Sequence, residues 1–429
     1  MTRSYETDEH TAPRAVTKAS TSVNRGSGAV GRADEAREAR IQLMHVLEPQ
    51  DYLGMALIGA LGPVSAAEIV CGRKPSPAEI DKVRMTSPEL SDKAEPEGLD
   101  KAWERWRHRK PLRNPLAMER TMNGRGAWLA TPEDPDWPSA LRDLGHLAPI
   151  GLWGRGDRAG LSAPRSRSFS VVGCRDATAY GVEVTKHLVS SLAGDGYALL
   201  SGAAFGIDAA AHRTALAVGT SSPTTIAFLA CGIDRSYPRA HHGLLEDIES
   251  AGLILTELNP GASPMRHRFL QRNRLIAALS EVIVVVEARF RSGALNTARH
   301  GLELGRTVGV VPGPVFSDQS AGCHRMVSEA PVELITCAED LRALLPAIPG
   351  GDGASGREAG STSGPETNDP VLSQEQALVR DALPAGRGVA PERLCSVASL
   401  PIRTVMASLA HLEMVGLARC EGGLWRITR

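Results

Sequence analysis

The chain has few aromatic residues: six Trp, five Tyr and six Phe among 429, or 4%. Its core must therefore be built from Ala, Val, Leu and Ile. It also lacks a charge excess, with 48 Lys and Arg against 49 Asp and Glu. A polyanion site has to be a local patch, because no global field advertises one. Long apolar runs are missing too. The widest, Val282 to Val286, is strand-length, far short of the roughly 18 residues a membrane span needs, and the polar, acidic start has no apolar core of a secretory leader. No membrane partner is expected. The seven cysteines (71, 174, 231, 323, 337, 395 and 420) are odd in number and never spaced C-x-x-C. That excludes a disulfide framework and a zinc finger of familiar spacing. The expectation is a reduced, cytoplasmic protein of about three domains.

What is present divides the chain by composition. Residues 1–35 carry hardly any large apolar side chain and are expected to be a disordered tail. From 36 to 126 apolar residues recur at helical spacing, as at Ile41, Met44 and Leu47 and then Leu53, Leu57 and Leu61, which predicts a helical N-terminal domain. Residues 127–164 read as an extended connector. Between 165 and 345, short apolar runs alternate with helical patterns, which predicts an α/β, Rossmann-like parallel sheet. A Gly-, Pro- and Ser-rich linker over 346–370 leads to helix, helix, helix and hairpin over 371–429, the order of a winged helix.

In a parallel sheet, ligands bind beyond the carboxyl ends of the strands, near helix N-termini. Two loops qualify. Gly173 frees the backbone of the first for a phosphate, and Arg175 can grip it. In the second, Ser201-Gly-Ala-Ala-Phe-Gly-Ile-Asp208, Gly202 and Gly206 free the turn and Asp208 suits the first turn of a helix. The alternative is that these glycines serve tight turns only. A third cluster is basic: eight arginines against three glutamates between Met265 and Arg306. Arg266, Phe269, Arg272, Asn273 and Arg274 combine cations with a ring, as a single-strand site requires, although an arginine-rich helix start can also be a solvated face. The loop with Arg291, Ser292 and Gly293 leaves another strand and adds possible phosphate contacts.

Catalytic readings are weaker. Cys174 with His212 would be a thiolate–imidazole pair, and Asp208 with Glu257 or Glu287 a hydrolytic pair. Cys323-His324 and His241-His242 lack a third metal ligand at sensible spacing. In the C-terminal segment, Arg403 and His411 offer few cations for duplex readout.

Taken in order, the motifs resemble a family. They are Val172-Gly-Cys-Arg175, Ser201-Gly-x-x-x-Gly-Ile-Asp208 with His212, Phe269-x-x-Arg-Asn-Arg-Leu-Ile-Ala277, Val284-Val-Val-Glu-Ala288, Arg291-Ser-Gly-Ala-Leu-x-Thr-Ala298, Val311-Pro-Gly313 and Ser320-Ala-Gly322. The series is similar to the DNA-processing protein A (Smf) family of bacteria. The likeness is strong over about 125–345. It is weaker over the N-terminal helices, which resemble a sterile-alpha-motif or helix-hairpin-helix-like domain, and over the C-terminal winged helix. The resemblance implies a non-enzymatic homodimer, with no cofactor or metal, that binds single-stranded DNA and loads the recombinase RecA onto it in natural transformation and recombination. It implies that Gly173, Arg175, Gly202, Phe205, Gly206, Arg266, Phe269, Arg272, Asn273, Arg274, Arg291, Ser292 and Gly293 line the strand's path. Ser201, Asp208 and His212 would be structural. Two positions depart from the pattern: Phe205 stands where the family has Arg, and His324 where it has Asn. The rival class is a nucleoside-phosphate-processing Rossmann enzyme, whose Pro-Gly-Gly-x-Gly-Thr loop is absent here.

Overall fold

The computed structural model describes residues 27–88, 96–348, 373–384, 388–398 and 400–428. They belong to two compact units, Met1–Ala354 and Ser355–Arg429. The tail expected to residue 35 lies outside the described residues as far as 26, and from Ser27 the chain is already helical. The linker expected over 346–370 lies outside them from residue 349.

Six helices lead the first unit: α1 (Ser27–Val46), α2 (Tyr52–Leu61), α3 (Pro63–Val70), α4 (Pro77–Thr86), α5 (Pro96–Trp106) and α6 (Pro115–Asn123). Local chemistry sets their starts. The Asp51 carboxylate accepts from the Gly54 amide at 3.0 Å, and Ser76 with Glu79 forms a capping box. Ile41, Leu43, Leu47, Leu57 and Trp106 are buried in one core with Trp153, Ala227 and Ile254 of the sheet. The helices are thus packed onto the sheet and do not enclose a core of their own.

Nine strands form that sheet. They are β1 (Ala127–Ala130), β2 (Leu152–Gly156), β3 (Ser168–Val172), β4 (Ala198–Ser201), β5 (Thr225–Phe228), β6 (Leu253–Thr256), β7 (Val282–Val285), β8 (Thr307–Val310) and β9 (Glu333–Leu334). Their order is β1-β2-β6-β5-β4-β3-β7-β8-β9. The stretch 127–164, expected as a connector, instead adds β1 and β2 antiparallel to β6. It is held there because the Trp128 ring occupies the space left by the missing side chain of Gly154. From β6 to β9 all pairings are parallel, with α7 (Ala179–Gly194), α8 (Ile207–Val218), α9 (His242–Ala251), α10 (Arg266–Leu279), α11 (Gly293–Glu303), α12 (Ala321–Glu329) and α13 (Ala338–Ala343) as crossovers and flanks. Strands covered on both faces are apolar throughout, as in Val282–Val285. The α/β Rossmann-like expectation for this region holds.

The chain winds outward from β3 through β4, β5 and β6, then returns to β7 on the other side of β3. That reversal is the topological switch point, where open α/β sheets leave a crevice at the strands' carboxyl ends.

The second unit holds α14 (Gln374–Ala382), α15 (Pro391–Ala398), α16 (Ile402–Met414) and the antiparallel pair β10 (Ala418–Glu421) and β11 (Leu424–Ile427). Gly422 and Gly423, at φ +62° and +79°, make the hairpin turn that needs left-handed backbone at both positions. Val379, Leu394, Val405, Leu409, Leu412 and Trp425 form its core. Among the described residues of both units, no helix is long and apolar enough to cross a membrane.

Candidate nucleic-acid interface

The loops after β3, β4, β5 and β7 meet at the carboxyl edge. Gly173 is there for contact: a Cβ would lie 2.5 Å from Ile207 Cγ1. Gly206 has φ +77°, and a Cβ there would strike the carbonyls of Cys174 and Arg175. The Ile207 amide also donates to the Cys174 carbonyl at 3.2 Å. The turn 203–206 therefore lies against the back of the Arg175 loop. On the other side, the Thr178 amide and hydroxyl donate to the Glu287 carboxylate at 2.9 and 2.5 Å, and Arg289 pairs with Asp176. The β3 and β7 loops are thereby tied, and Arg291 is exposed on the second of them.

Arg175 is exposed, and its guanidinium carbon lies 5.0 Å from the Phe269 ring centroid. Tyr237 meets the same ring at 5.6 Å, tilted by 54°. Phe205, 45% exposed, packs against the His241 edge at 4.5 Å, and His241 Nδ1 lies 3.0 Å from the Ala203 carbonyl. Phe205, Tyr237 and Phe269 thus gather beside the Arg175 loop in a chain with only 17 aromatics. Clustered rings with an adjacent guanidinium suit the faces and phosphates of an unpaired strand.

Beneath the loops lies a buried charged layer. Asp208 accepts backbone N–H groups, that of Ala204 at 3.4 Å among them, and faces Arg272. Burial pushes the Asp208 carboxyl up, against the opposing pull of Arg272. Burial likewise brings the Arg272 guanidinium down to about 10, with Asp208 working against it. Arg272 donates to the Phe228 carbonyl and fills the space that a Cβ on Gly202 would need. Ser201 Oγ ties β4 to β3 by donating to the Val171 carbonyl at 2.7 Å.

Three residues expected along the strand's path are inside the protein. Arg272 is under the Gly202 loop. Asn273 Nδ2 donates to the Gly293 carbonyl at 3.1 Å and to Asn296 Oδ1 at 3.3 Å, pinning the start of α11. Arg274 is fully buried, with both terminal nitrogens 2.6 Å from the Glu257 oxygens and Nε donating to the Leu147 carbonyl. Three consecutive residues cannot share one helix face; α10 is buried on all sides from 272 to 278, with Asn273 turned to α11 and Arg274 to the segment that ends at Leu147. Arg266, Phe269 and Arg291 reach the surface, Gly293 is exposed, and Ser292 caps α11 by accepting from the Ala294 amide at 3.2 Å. Tyr237 is a site residue that the sequence reading does not single out, and His241, weighed there only as a metal ligand, instead backs Phe205 from a buried position. The signal that points to Tyr237 is the scarcity of aromatics, which makes any exposed ring near a glycine loop conspicuous.

The carboxylates of the proposed hydrolytic pairs are occupied: Asp208 by Arg272 and backbone, Glu257 by Arg274, Glu287 by Thr178. Burial pushes the Cys174 thiol up, opposite to what a nucleophile needs. His324 Nε2 sits 3.1 Å from the Gly313 carbonyl. No cluster of three His, Cys, Asp or Glu among the described residues could hold a metal.

His212 is wholly buried. Thr225 donates its hydroxyl to the Leu199 carbonyl, so the contact of His212 Nδ1 with Thr225 Oγ1 at 2.8 Å has the ring as donor. Burial, with Arg272 adding to it, lowers its pKa to about 3. The unfolded chain protonates this ring near the ordinary value of about 6.5, the folded chain only near 3, so stability is lost as pH falls through that window. Between pH 6.5 and 5, wild-type unfolding free energy is expected to drop about 2 kcal/mol more than that of His212→Asn. Urea titrations at both values measure it; parallel losses would reject it.

The family model described as DNA recombination-mediator protein A matches residues 128–346. The putative DNA processing protein DprA of Mycobacterium tuberculosis is 40% identical over 409 residues, covering 92% of this chain and 95% of that protein. Protein Smf of Synechocystis is 32% identical, covering 72% of this chain and 82% of its own length. Among solved structures, DNA processing protein A from Streptococcus pneumoniae superposes with a TM-score of 0.54 at 25% identity, over 73% of this chain and 98% of that one. The glycine loops and the α10 motif described above lie within the matched region, and the chain belongs to the DNA recombination-mediator protein A family.

Proposed function

We propose that the chain binds single-stranded DNA on the surface formed by Arg175, Phe205, Phe269 and Tyr237, with Arg266 and Arg291 extending the path along the backbone. The observation that carries this reading is the Arg175 guanidinium lying over the Phe269 ring, with a second ring against it. A duplex hides its base faces in the stack, so exposed rings favour an unpaired strand. The Gly173, Gly202 and Gly206 loops bring backbone close to that strand, and Ser292 and Gly293 present the N-terminus of α11. Membership of a recombination-mediator family supports the next step, in which a homodimer hands the strand to the recombinase RecA during natural transformation and recombination in the cytoplasm. The protein acts as a mediator without catalysis, and the C-terminal unit is a winged helix suited to contact with protein, or to weak contact with duplex, as much as to base readout.

Fluorescence anisotropy with labelled oligo-dT and matching duplex, across a salt series, tests the binding step. Single strands are expected to bind more tightly, and Arg175→Ala to reduce the slope of log K against log salt by about one. Equal affinity for both forms of DNA would overturn the reading, and so would a slope unchanged in Arg175→Ala.

A further inference from the structure

Helix α10 carries Phe269, yet its own sequence starts it badly. Met265 at the cap position makes no side-chain cap bond, and the first turn holds no acidic residue. It holds Arg266 and Arg268 instead, cations at the positive end of a helix dipole, where an anion belongs, with His267 between them. The missing anion comes from more than 200 residues away.

Glu48, in the turn between α1 and α2, receives Arg268 through two hydrogen bonds, Nε at 3.1 Å and a terminal nitrogen at 2.7 Å. It also pairs with Arg109 and stands 3.5 Å from His267 Nε2. One residue on, the Pro49 carbonyl accepts from Gln271 Nε2 at 2.6 Å. Arg268 itself is buried, and its remaining terminal nitrogen donates to the Ser263 carbonyl at 2.6 Å. The turn of helix that presents Phe269 is thus held at 267, 268 and 271, and on each occasion by Glu48 or Pro49.

We propose that Glu48 is a positioning residue for the strand-binding surface: it supplies the carboxylate that α10 lacks and so sets the rotation of the turn that offers Phe269 to a base. The proposal rests on the single-strand reading above. It makes the N-terminal helices part of the binding apparatus without any contact between them and DNA. With Glu48 gone, Arg268 is left stranded and the turn loses its ties at 267 and 268, so that it rotates and carries Phe269 away from Arg175.

The test uses the full chain and an oligo-dT with one 2-aminopurine, whose fluorescence falls when the base stacks. Glu48→Gln is expected to weaken binding at least about fivefold, the loss of one base stack. At saturating protein it should leave the 2-aminopurine less quenched. Because no cation is removed, the salt slope should stay at the wild-type value, unlike that of Arg175→Ala. Glu48→Asp should recover part of the quenching. Wild-type affinity and quenching in Glu48→Gln, with Arg175→Ala still impaired, would overturn the role of Glu48 and leave the single-strand reading standing. Failure of the wild-type chain to prefer single strands would sink that reading itself. If Glu48→Gln does not fold, the double variant Glu48→Gln/Arg268→Gln, which removes the stranded cation as well, is the one to measure. Reduced quenching there supports the proposal, and wild-type quenching overturns it.

Discussion

Arg274→Ala is expected to lower the thermal midpoint on the order of 10 °C and to leave the single-strand affinity of the folded protein within about twofold of wild type. Arg274 has no exposed surface, and its guanidinium is spent on Glu257, the Leu147 carbonyl and the Gln271 carbonyl. Removing one partner of such a pair strands the other charge in the interior, at a cost of about 3–5 kcal/mol. Replacing both members at once removes the stranded charge. Arg274→Met combined with Glu257→Leu should therefore recover much of the loss. Differential scanning calorimetry of the two variants, with anisotropy on the same samples, makes the measurement. A normal midpoint combined with lost DNA binding would mean that Arg274 reaches the strand after all.

Phe269→Ala pulls in the opposite direction. It should weaken binding to oligo-dT by about 5- to 150-fold, the range of one base stack of about 1–3 kcal/mol, with little change in stability because the ring is only half-buried. Its salt slope should match wild type, since a ring releases no counterions. Arg175 packs on Phe269, so the two residues should not act independently. In a double-mutant cycle, Arg175→Ala with Phe269→Ala is expected to cost less than the two single losses together. Strict additivity would show that the guanidinium and the ring serve separate nucleotides. Tyr237→Ala offers a parallel readout on the second ring of the same cluster.

Much of the α/β core was legible in the chain before any coordinates. Apolar runs such as Val282–Val285, flanked by helical patterns, predict strands covered on both faces, and such strands are what the sheet contains. The glycine loops were legible for a similar reason, because a residue that must adopt φ +77° against two carbonyls has almost no alternative to Gly. The strands β1 and β2 escaped notice. Antiparallel strands of only four and five residues, Ala-Trp-Leu-Ala and Leu-Trp-Gly-Arg-Gly, leave little periodicity to read, and the Pro- and Asp-rich stretch between them reads as loop. The start of α1 at Ser27 was hidden by polar residues that propensity alone assigns to a tail.

The site divides along the same line. By itself the sequence determined that arginine, phenylalanine and glycine loops would meet at the carboxyl ends of a parallel sheet, because alternation and turn chemistry are local properties. Only the tertiary structure decided which arginines of the run 266–274 are available. Arg266 faces water, whereas Arg268, Arg272 and Arg274 are buried. Arg268 and Arg274 pair with Glu48 and Glu257, 220 and 17 positions away in the chain, while Arg272 donates to the Phe228 carbonyl with the charge of Asp208 nearby. A positive charge reads the same in sequence whether it awaits a phosphate or already holds a carboxylate. The choice is made by which distant anion the fold brings within hydrogen-bond reach, and burial, which makes an unpaired charge so costly, enforces it.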